Sequence, residues 1–137
     1  MGAEHEEVAM RFLAYANGEQ QDIDGLVGLM SENFNWQPNV PSTPRVGREG
    51  ARAELERQNA VATGLLPASR VTNIASNDRV VFVERRDVFK MGDEEITLYI
   101  NGVLEIEDGK VVAWREYFDM VDLARQLGVE PTSLAEG

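Results

Sequence analysis

The chain contains 137 residues, of which 43% are hydrophobic and 27% charged, with a formal net charge of -11; this is typical of one soluble globular domain, here residues 1–137. The negative charge argues against a nucleic-acid partner or an anionic membrane, because both are negatively charged themselves. The absence of cysteine excludes disulfide bonds and thiolate chemistry.

The first 30 residues contain no targeting segment and predict two helices. The start MGAEHEE has neither the basic nor the apolar region of a secretory signal, and no apolar run reaches membrane-spanning length, so we expect a cytoplasmic protein with no membrane partner. Apolar side chains recur at helical spacing over residues 5–17. A second helix begins after Asp22, a good N-cap residue. Its apolar stripe consists of Ile23, Leu26, Val27 and Met30.

The middle of the chain combines a loop with a third helix. The segment NFNWQPNVPSTPRVG contains three prolines and indicates a short strand that runs into a loop. Residues 48–60 have the composition of a helix, although their apolar face is weak. The segment GLLPAS that follows ends this helix.

From residue 69 the apolar period changes to two, which predicts four strands. Their ranges are 69–77, 79–90, 95–106 and 110–118. Short turns join the last three strands in an antiparallel meander, and the segment DMVDLARQLG forms a closing helix that Gly128 ends. Helices followed by a meander indicate an α+β fold with helices on one face of a curved sheet.

Two charged residues occupy an otherwise apolar face of the strand VVFVERRDVFK. Arg85 and Asp87 lie two positions apart, so their side chains share one face with Val83 and Phe89. Burying charges is costly unless they pair with each other. This face therefore predicts either a structural ion pair or a site of chemistry.

The strand register decides which other groups join this face. A three-residue loop at residues 107–109 separates polar from apolar side chains, whereas a two-residue loop mixes them, so we prefer the longer loop. That register pairs Ile100 with Glu116. A two-residue turn at residues 92–93 pairs Arg85 with Ile100. Arg85, Ile100 and Glu116 then form one row across three strands.

The set of Arg85, Asp87 and Glu116 is suited to acid–base chemistry. The guanidinium neutralises one carboxylate, and the other gains by holding a proton, because two like charges do not both ionise easily in an apolar site. One acid and one base in the same pocket can act in general acid–base catalysis. A purely structural network of arginine and carboxylates is the alternative.

Few other residues suggest chemistry. His5 is the only histidine and there is no cysteine, so the chain has almost none of the side chains that a Ser-His-Asp mechanism, a Cys-His mechanism or a zinc site requires. We expect neither metal nor cofactor. Carboxylate chemistry on a small neutral substrate remains. Apolar side chains either line a pocket for that substrate or belong to the core. These candidates are Trp36, Val83, Phe89, Leu98, Ile100, Trp114 and Phe118.

The segments ERRDVFK and WREYFDM resemble the limonene-1,2-epoxide hydrolase family, within the SnoaL-like and NTF2-like group of proteins. The family's Arg-x-Asp, Gly-Val, Asp-Gly-Lys and Trp-Arg-Asp-Tyr-Phe-Asp motifs correspond to residues 85–87, 102–103, 108–110 and 114–119. The resemblance implies a cone-shaped NTF2-like α+β fold. In that fold a curved, mostly antiparallel sheet carries the N-terminal helices over its concave face.

The resemblance also implies roles for the charged residues. Asp87 is the acid that protonates the epoxide oxygen, and Arg85 bridges the two carboxylates. Glu116 stands where the family has an aspartate base that takes a proton from water. The implied reaction is a one-step attack of water on a small apolar epoxide, which gives a vicinal diol without a cofactor or a covalent enzyme intermediate.

A second set of residues corresponds to the family's water-binding Tyr and Asn. The spacing to the following glycine assigns the Asn role to Asn39 and the Tyr position to Gln37. Trp36 is the alternative for the Tyr position if the strand bulges at Pro38. The absence of a tyrosine there, and the longer Glu116, depart from the family pattern.

Two other functions and one assembly are also predicted. The pocket also suits an isomerase or cyclase in which Glu116 removes a proton from carbon, or a non-catalytic protein that binds a small apolar molecule. A homodimer is expected because one outer sheet face mixes polar and apolar side chains. The residues expected on that face are Tyr99, Val103, Val111, Ala113 and Tyr117.

Overall fold

The computed structural model describes residues 2–16 and 21–134, which contain four α-helices, six β-strands and one short 3₁₀ helix. The helices are α1 (Gly2–Ala16), α2 (Ile23–Gly28), α3 (Gly47–Val61) and α4 (Met120–Leu127), and the 3₁₀ helix is Pro131–Leu134. The strands are β1 (Met30–Gln37), β2 (Arg45–Val46), β3 (Arg70–Ser76), β4 (Val80–Met91), β5 (Glu94–Glu107) and β6 (Lys110–Tyr117). Residue 17, the predicted end of the first helix, lies outside the described residues.

The six strands form one curved sheet in the order β2-β1-β6-β5-β4-β3. β1 runs parallel to β6, and all other neighbours are antiparallel. α1 packs on β3, β4, β5 and β6, whereas α3 packs on β1 and β2, and α4 packs on β5. The predicted α+β class and the meander of the last strands are therefore confirmed.

The second helix begins as predicted but ends earlier. Asp22 is its N-cap, and its Oδ1 accepts a hydrogen bond from the Gly25 backbone N–H at 2.8 Å. The helix stops at Gly28, so the prediction that Met30 extends its apolar stripe is wrong. Met30 starts β1 instead, where it is fully buried opposite Val111 of β6. Burial in the sheet core thus outweighs the helical spacing of the sequence.

The hairpin between β5 and β6 differs from its predicted register. Glu107 pairs with Lys110, so the turn has two residues rather than three. Both turn residues, 108 and 109, have positive φ, as in the type I′ turn that matches strand twist. A bulge that leaves Val112 unpaired then separates the polar and apolar faces. The longer loop was predicted because the sequence pattern gives no indication of this bulge.

The bulge changes the partner of Glu116. This residue lies opposite Gly102 rather than opposite Ile100 as predicted, whereas Arg85 does pair with Ile100. The difference is two residues, so Glu116 still points to the inner face of the sheet. Arg85 and Glu116 therefore do not lie in one row across three strands as predicted. They lie diagonally across β5, which contributes Gly102 between them.

A buried carboxylate on α3 ties this helix to β2. Glu54 is only 4% exposed and accepts hydrogen bonds from Arg45 Nε at 2.9 Å, Arg57 Nη2 at 2.6 Å and Gln58 Nε2 at 2.9 Å. Burial alone raises the pKa of Glu54, but the hydrogen bonds from these three residues outweigh it and lower the pKa. The stabilisation is present at neutral pH and is lost as the pH falls through the lowered pKa.

The apolar core lies between the helices and the inner sheet face. It includes Phe12 of α1 and Phe34 and Trp36 of β1, all with exposure of 2% or less. A second apolar cluster surrounds Ile96 of β5 and is packed against α4. Within residues 2–16 and 21–134, no helix is both long and apolar enough to cross a membrane.

Candidate active site

Three ionisable side chains are buried together on the inner face of the sheet. Arg85 and Asp87 come from β4 and Glu116 comes from β6, with exposures of 5%, 7% and 6%. Side chains two positions apart on a strand share a face, which directs Arg85 and Asp87 to the same side. The structure thus brings together the three residues that the sequence predicted to converge.

Arg85 lies between the two carboxylates and binds both. Its Nη1 and Nη2 donate to Glu116 Oε2 and Oε1 at 2.9 and 2.7 Å. Its Nε and Nη2 donate to Asp87 Oδ1 and Oδ2 at 3.2 and 2.9 Å. Both pairings are bidentate, which adds geometric specificity to a charge-assisted hydrogen bond. One positive charge therefore holds two carboxylates in fixed orientations.

The surroundings of Glu116 raise the pKa of its carboxyl above the ordinary value. Desolvation raises the pKa of its carboxyl, and the nearby Asp87 charge adds to this, whereas Arg85 and the Trp114 indole act in the opposite direction. For Arg85, burial lowers the pKa, but the two carboxylates more than compensate and the net change is upward, so Arg85 stays charged. A carboxylate that takes up a proton this readily is suited to act as a general base.

Gly102 of β5 provides the space in which Arg85 and Glu116 meet. A Cβ atom added at this position would lie 2.6 Å from Glu116 Oε2 and 2.9 Å from Arg85 Nη1. Both distances are shorter than van der Waals contact. Any side chain at position 102 therefore displaces the bidentate pair.

We expect Gly102→Ala to lower the free energy of unfolding by about 1–3 kcal/mol, because the added methyl overpacks a buried ion pair. The control is Gly28→Ala, where a Cβ atom meets nothing within 4 Å and stability is expected to stay the same or rise slightly. Urea denaturation of both variants measures the difference. Equal stability of the two variants contradicts the steric role of Gly102.

The cluster forms part of the wall of a cavity of about 680 Å³, a volume in the usual range of small-molecule sites. Six of the apolar residues predicted to line a pocket are in this wall. They are Trp36, Phe89, Leu98, Ile100, Trp114 and Phe118. Asn39, predicted to bind water, is also a lining residue. The three charged groups thus face a partly open cavity with largely apolar walls.

Val83 and Gln37 are not among the lining residues of this cavity. Val83, predicted to contact a substrate, is 1% exposed and belongs to the main core rather than to the cavity wall. Gln37 pairs with Arg115 of β6, and its Oε1 accepts from the Ser42 backbone N–H at 3.4 Å. Because neighbours on a strand point to opposite faces, Trp36 faces the cavity and Gln37 does not.

The loop after β1 is fixed against the end of β6. The Val40 backbone N–H donates to the Glu116 carbonyl oxygen at 2.9 Å. Asn39, the residue before Val40, lines the cavity together with Glu116. The loop therefore holds an amide side chain and a carboxylate around the same space.

Two stacked tryptophans form one side of the cavity. The rings of Trp36 and Trp114 lie 4.5 Å apart between centroids, with an angle of 6° between their planes. Phe12 contacts Trp114 edge-on at 5.0 Å and 87°. Both indole Nε1 atoms are buried and have no hydrogen-bond partner.

Two further parts of the wall were not predicted from the sequence. Arg57 and Gln58 line the cavity from the end of α3, and both bind Glu54. Their spacing from Glu54, three and four positions along a helix, was a usable signal. Leu123 of α4 and Leu134 of the 3₁₀ helix also line the cavity.

Comparison with known proteins identifies relatives with this architecture. The family model of the limonene-1,2-epoxide hydrolase catalytic domain matches residues 6–128. The curated protein epoxide hydrolase EphG of Mycobacterium tuberculosis is 26% identical over 115 residues, which cover 83% of this chain and 74% of that protein.

Solved structures share the fold at lower identity. An LEH-like epoxide hydrolase from M. tuberculosis has a TM-score of 0.77 and 23% identity, with coverage of 92% of this chain and 90% of that chain. A putative SnoaL-like polyketide cyclase from Jannaschia sp. CCS1 has a TM-score of 0.82 and 16% identity, with 95% of each chain covered. A hypothetical protein with a ketosteroid isomerase-like fold from Catenulispora acidiphila has a TM-score of 0.78 and 13% identity, covering 92% and 95%. The NTF2-like and SnoaL-like architecture is therefore confirmed.

Proposed function

This chain belongs to the limonene-1,2-epoxide hydrolase family, and we propose that it opens a small apolar epoxide by direct attack of water to give a vicinal diol. The observation that carries the proposal is Arg85 held between Asp87 and Glu116 in the wall of a cavity. This arrangement supplies an acid and a base to one substrate bound in the cavity. The proposed reaction uses neither a metal nor a cofactor.

In the proposed step, bond changes at the epoxide and at water are coupled. Glu116 takes a proton from water while the water oxygen forms a bond to an epoxide carbon. The bond between that carbon and the epoxide oxygen breaks, and Asp87 gives its proton to this oxygen. The proton on Glu116 then returns to Asp87 through solvent. Arg85 holds both carboxylates in place and remains charged throughout.

We further propose that Asn39 and Trp36, rather than Gln37, hold the attacking water. Asn39 lines the cavity beside Glu116, and Trp36 has a buried N–H without a partner. An amide oxygen can accept from water and an indole N–H can donate to it. Trp36 thus takes the position of the family's tyrosine.

The cavity wall supports a substrate that is small, uncharged and largely apolar. Phe89, Leu98, Ile100 and Phe118 provide apolar contacts near the charged cluster. The carboxylates disfavour an anionic substrate by charge repulsion. The epoxide oxygen is the polar group that Asp87 recognises.

An isomerase or cyclase is the second candidate, and it is supported by a specific observation. The Glu116 carboxyl has a raised pKa in an apolar site, which also suits removal of a proton from carbon. The fold is shared with a putative polyketide cyclase and a ketosteroid isomerase-like protein. A non-catalytic protein that binds a small apolar molecule is the third candidate.

Product analysis distinguishes the three candidates. The protein is incubated with limonene oxide and with cyclohexene oxide, and the products are separated by gas chromatography and identified by mass. The hydrolase proposal predicts diol formation above the rate without protein. An isomer of the epoxide supports the second candidate, and binding without turnover supports the third; either result contradicts the first.

We also propose a homodimer in the cytoplasm. Tyr99, Phe82 and Tyr117 are 70%, 50% and 41% exposed on the outer face of the sheet. Of the other residues expected there, Val103 is buried on that face, and Val111 is turned into the core by the bulge of β6. Light scattering tests the assembly. A dimer mass is expected for the native chain, and a monomer mass contradicts this part of the proposal.

A further inference from the structure

Trp114 is packed against two other aromatic rings in the cavity wall. Trp36 stacks on its face at 4.5 Å between ring centroids, and Phe12 contacts it edge-on at 5.0 Å. The Trp114 side chain is buried, with a residue exposure of 5%. Contacts on two sides fix the plane of the indole and therefore the direction of its N–H group.

The N–H group of Trp114 has no hydrogen-bond partner although it is buried. An unsatisfied buried donor destabilises the folded state. A phenylalanine at this position stacks on Trp36 without that cost. A buried N–H donor without a partner therefore points to a use for this group.

Glu116 is the next residue on the same face of β6, and its carboxylate is a hydrogen-bond acceptor. Residues 114 and 116 lie two positions apart on β6, share the inner face and line the same cavity. The charged groups that face Glu116 are Arg85 and Asp87, both on β4. The Trp114 indole also favours the charged form of Glu116, yet it forms no hydrogen bond of normal geometry with it. Catalytic hydrogen bonds are often long in the free enzyme and tighten when the substrate is bound.

We propose that Trp114 is a positioning residue, whose indole N–H donates to Glu116 when water and substrate occupy the cavity. Arg85 already occupies one lone pair on each Glu116 oxygen, and each oxygen has a second one. The indole N–H binds one of these, which leaves the remaining lone pair directed at the water. This inference rests on the proposed role of Glu116 as the base.

The test replaces Trp114 with benzothienylalanine, which keeps the size and stacking of indole but has sulfur in place of the N–H group. The charged form of Glu116 then loses a donor. We expect the acid limb of the kcat/KM profile to move to higher pH, with about tenfold lower kcat/KM below the limb and little change on the plateau. The same replacement at Trp36 is the comparison. Because Trp36 is proposed to hold the attacking water, this variant is expected to lower kcat/KM on the plateau as well, without a shift of the acid limb.

A second measurement does not depend on turnover. The Glu116 carboxyl carbon is followed by NMR with ¹³C-labelled glutamate, and the Glu116→Gln variant assigns its signal. A titration that moves upward in the Trp114 variant, but not in the Trp36 variant, supports the positioning role even if no epoxide is hydrolysed. Unchanged titration and an unchanged acid limb in the Trp114 variant overturn it.

Discussion

Replacement of Arg85 by methionine is expected to lower the free energy of unfolding by about 3–5 kcal/mol at pH 7. The guanidinium makes four hydrogen bonds to Asp87 and Glu116, and all three residues are at most 7% exposed. Methionine fills a similar volume but leaves two carboxylates buried without a counter-charge. Urea denaturation measures the effect.

Arg115→Met is the matched control for this substitution. Arg115 also donates to a carboxylate, Glu105, at 2.6 Å, but their side chains are 27% and 23% exposed. Solvent screens such a pair, so we expect a change of at most about 1 kcal/mol. Similar losses in both variants contradict the view that burial makes the Arg85 cluster costly to break.

The loss caused by Arg85→Met is expected to depend on pH. Without Arg85, the pKa of Glu116 in the folded state rises further above its unfolded value, because only the Trp114 indole then opposes desolvation and the Asp87 charge. A raised folded-state pKa stabilises the protein at low pH and destabilises it as the pH increases. The stability difference from the native chain is therefore smaller at pH 4 than at pH 7. A difference independent of pH indicates a packing effect alone.

Glu116→Gln is expected to reduce kcat by about 10²–10⁴-fold while the chain stays folded. The amide oxygen can still accept from Arg85, and Asp87 still balances the guanidinium charge, but the amide cannot take a proton from water. Asp87→Asn is expected to show a loss of similar size, because it cannot protonate the epoxide oxygen. Diol formation under saturating substrate measures both.

The conservative variant Glu116→Asp separates the chemistry of this residue from its shape. It restores the residue type that the family has at this position and keeps a carboxylate, so measurable turnover is expected. A wild-type kcat in the Glu116→Gln variant contradicts the assignment of Glu116 as the base.

In the native chain, activity is expected to decrease as the pH falls through the raised pKa of Glu116, because the base must be ionised.

The charged cluster could be predicted from the sequence for a simple reason. Arg85 and Asp87 are two positions apart in a clearly alternating strand, and the turn at residues 92–93 fixes the pairing with β5. The face of Glu116 was also correct, but its partner was not. The bulge at Val112 adds one residue to a strand whose sequence looks regular, and only tertiary packing reveals it.

The water side of the site was harder to predict. Position 37 was preferred because it matches the family's tyrosine in spacing, but strand alternation turns Trp36 toward the cavity. The hydrogen bonds of Glu54 with Arg57 and Gln58, three and four positions further along α3, were not predicted. The weak apolar face of this helix did not indicate which side is buried. Met30 shows the same limitation, since local helical spacing carries no information about burial in the sheet.

The most direct test of the account is a single turnover in oxygen-18 water, with the protein in excess over the epoxide. Direct attack of water activated by Glu116 predicts that the diol from this first turnover carries one labelled oxygen and that the protein carries none. A covalent route through Asp87 or Glu116 predicts an unlabelled diol and a labelled carboxylate, which mass spectrometry of the digested protein detects. That result contradicts the account.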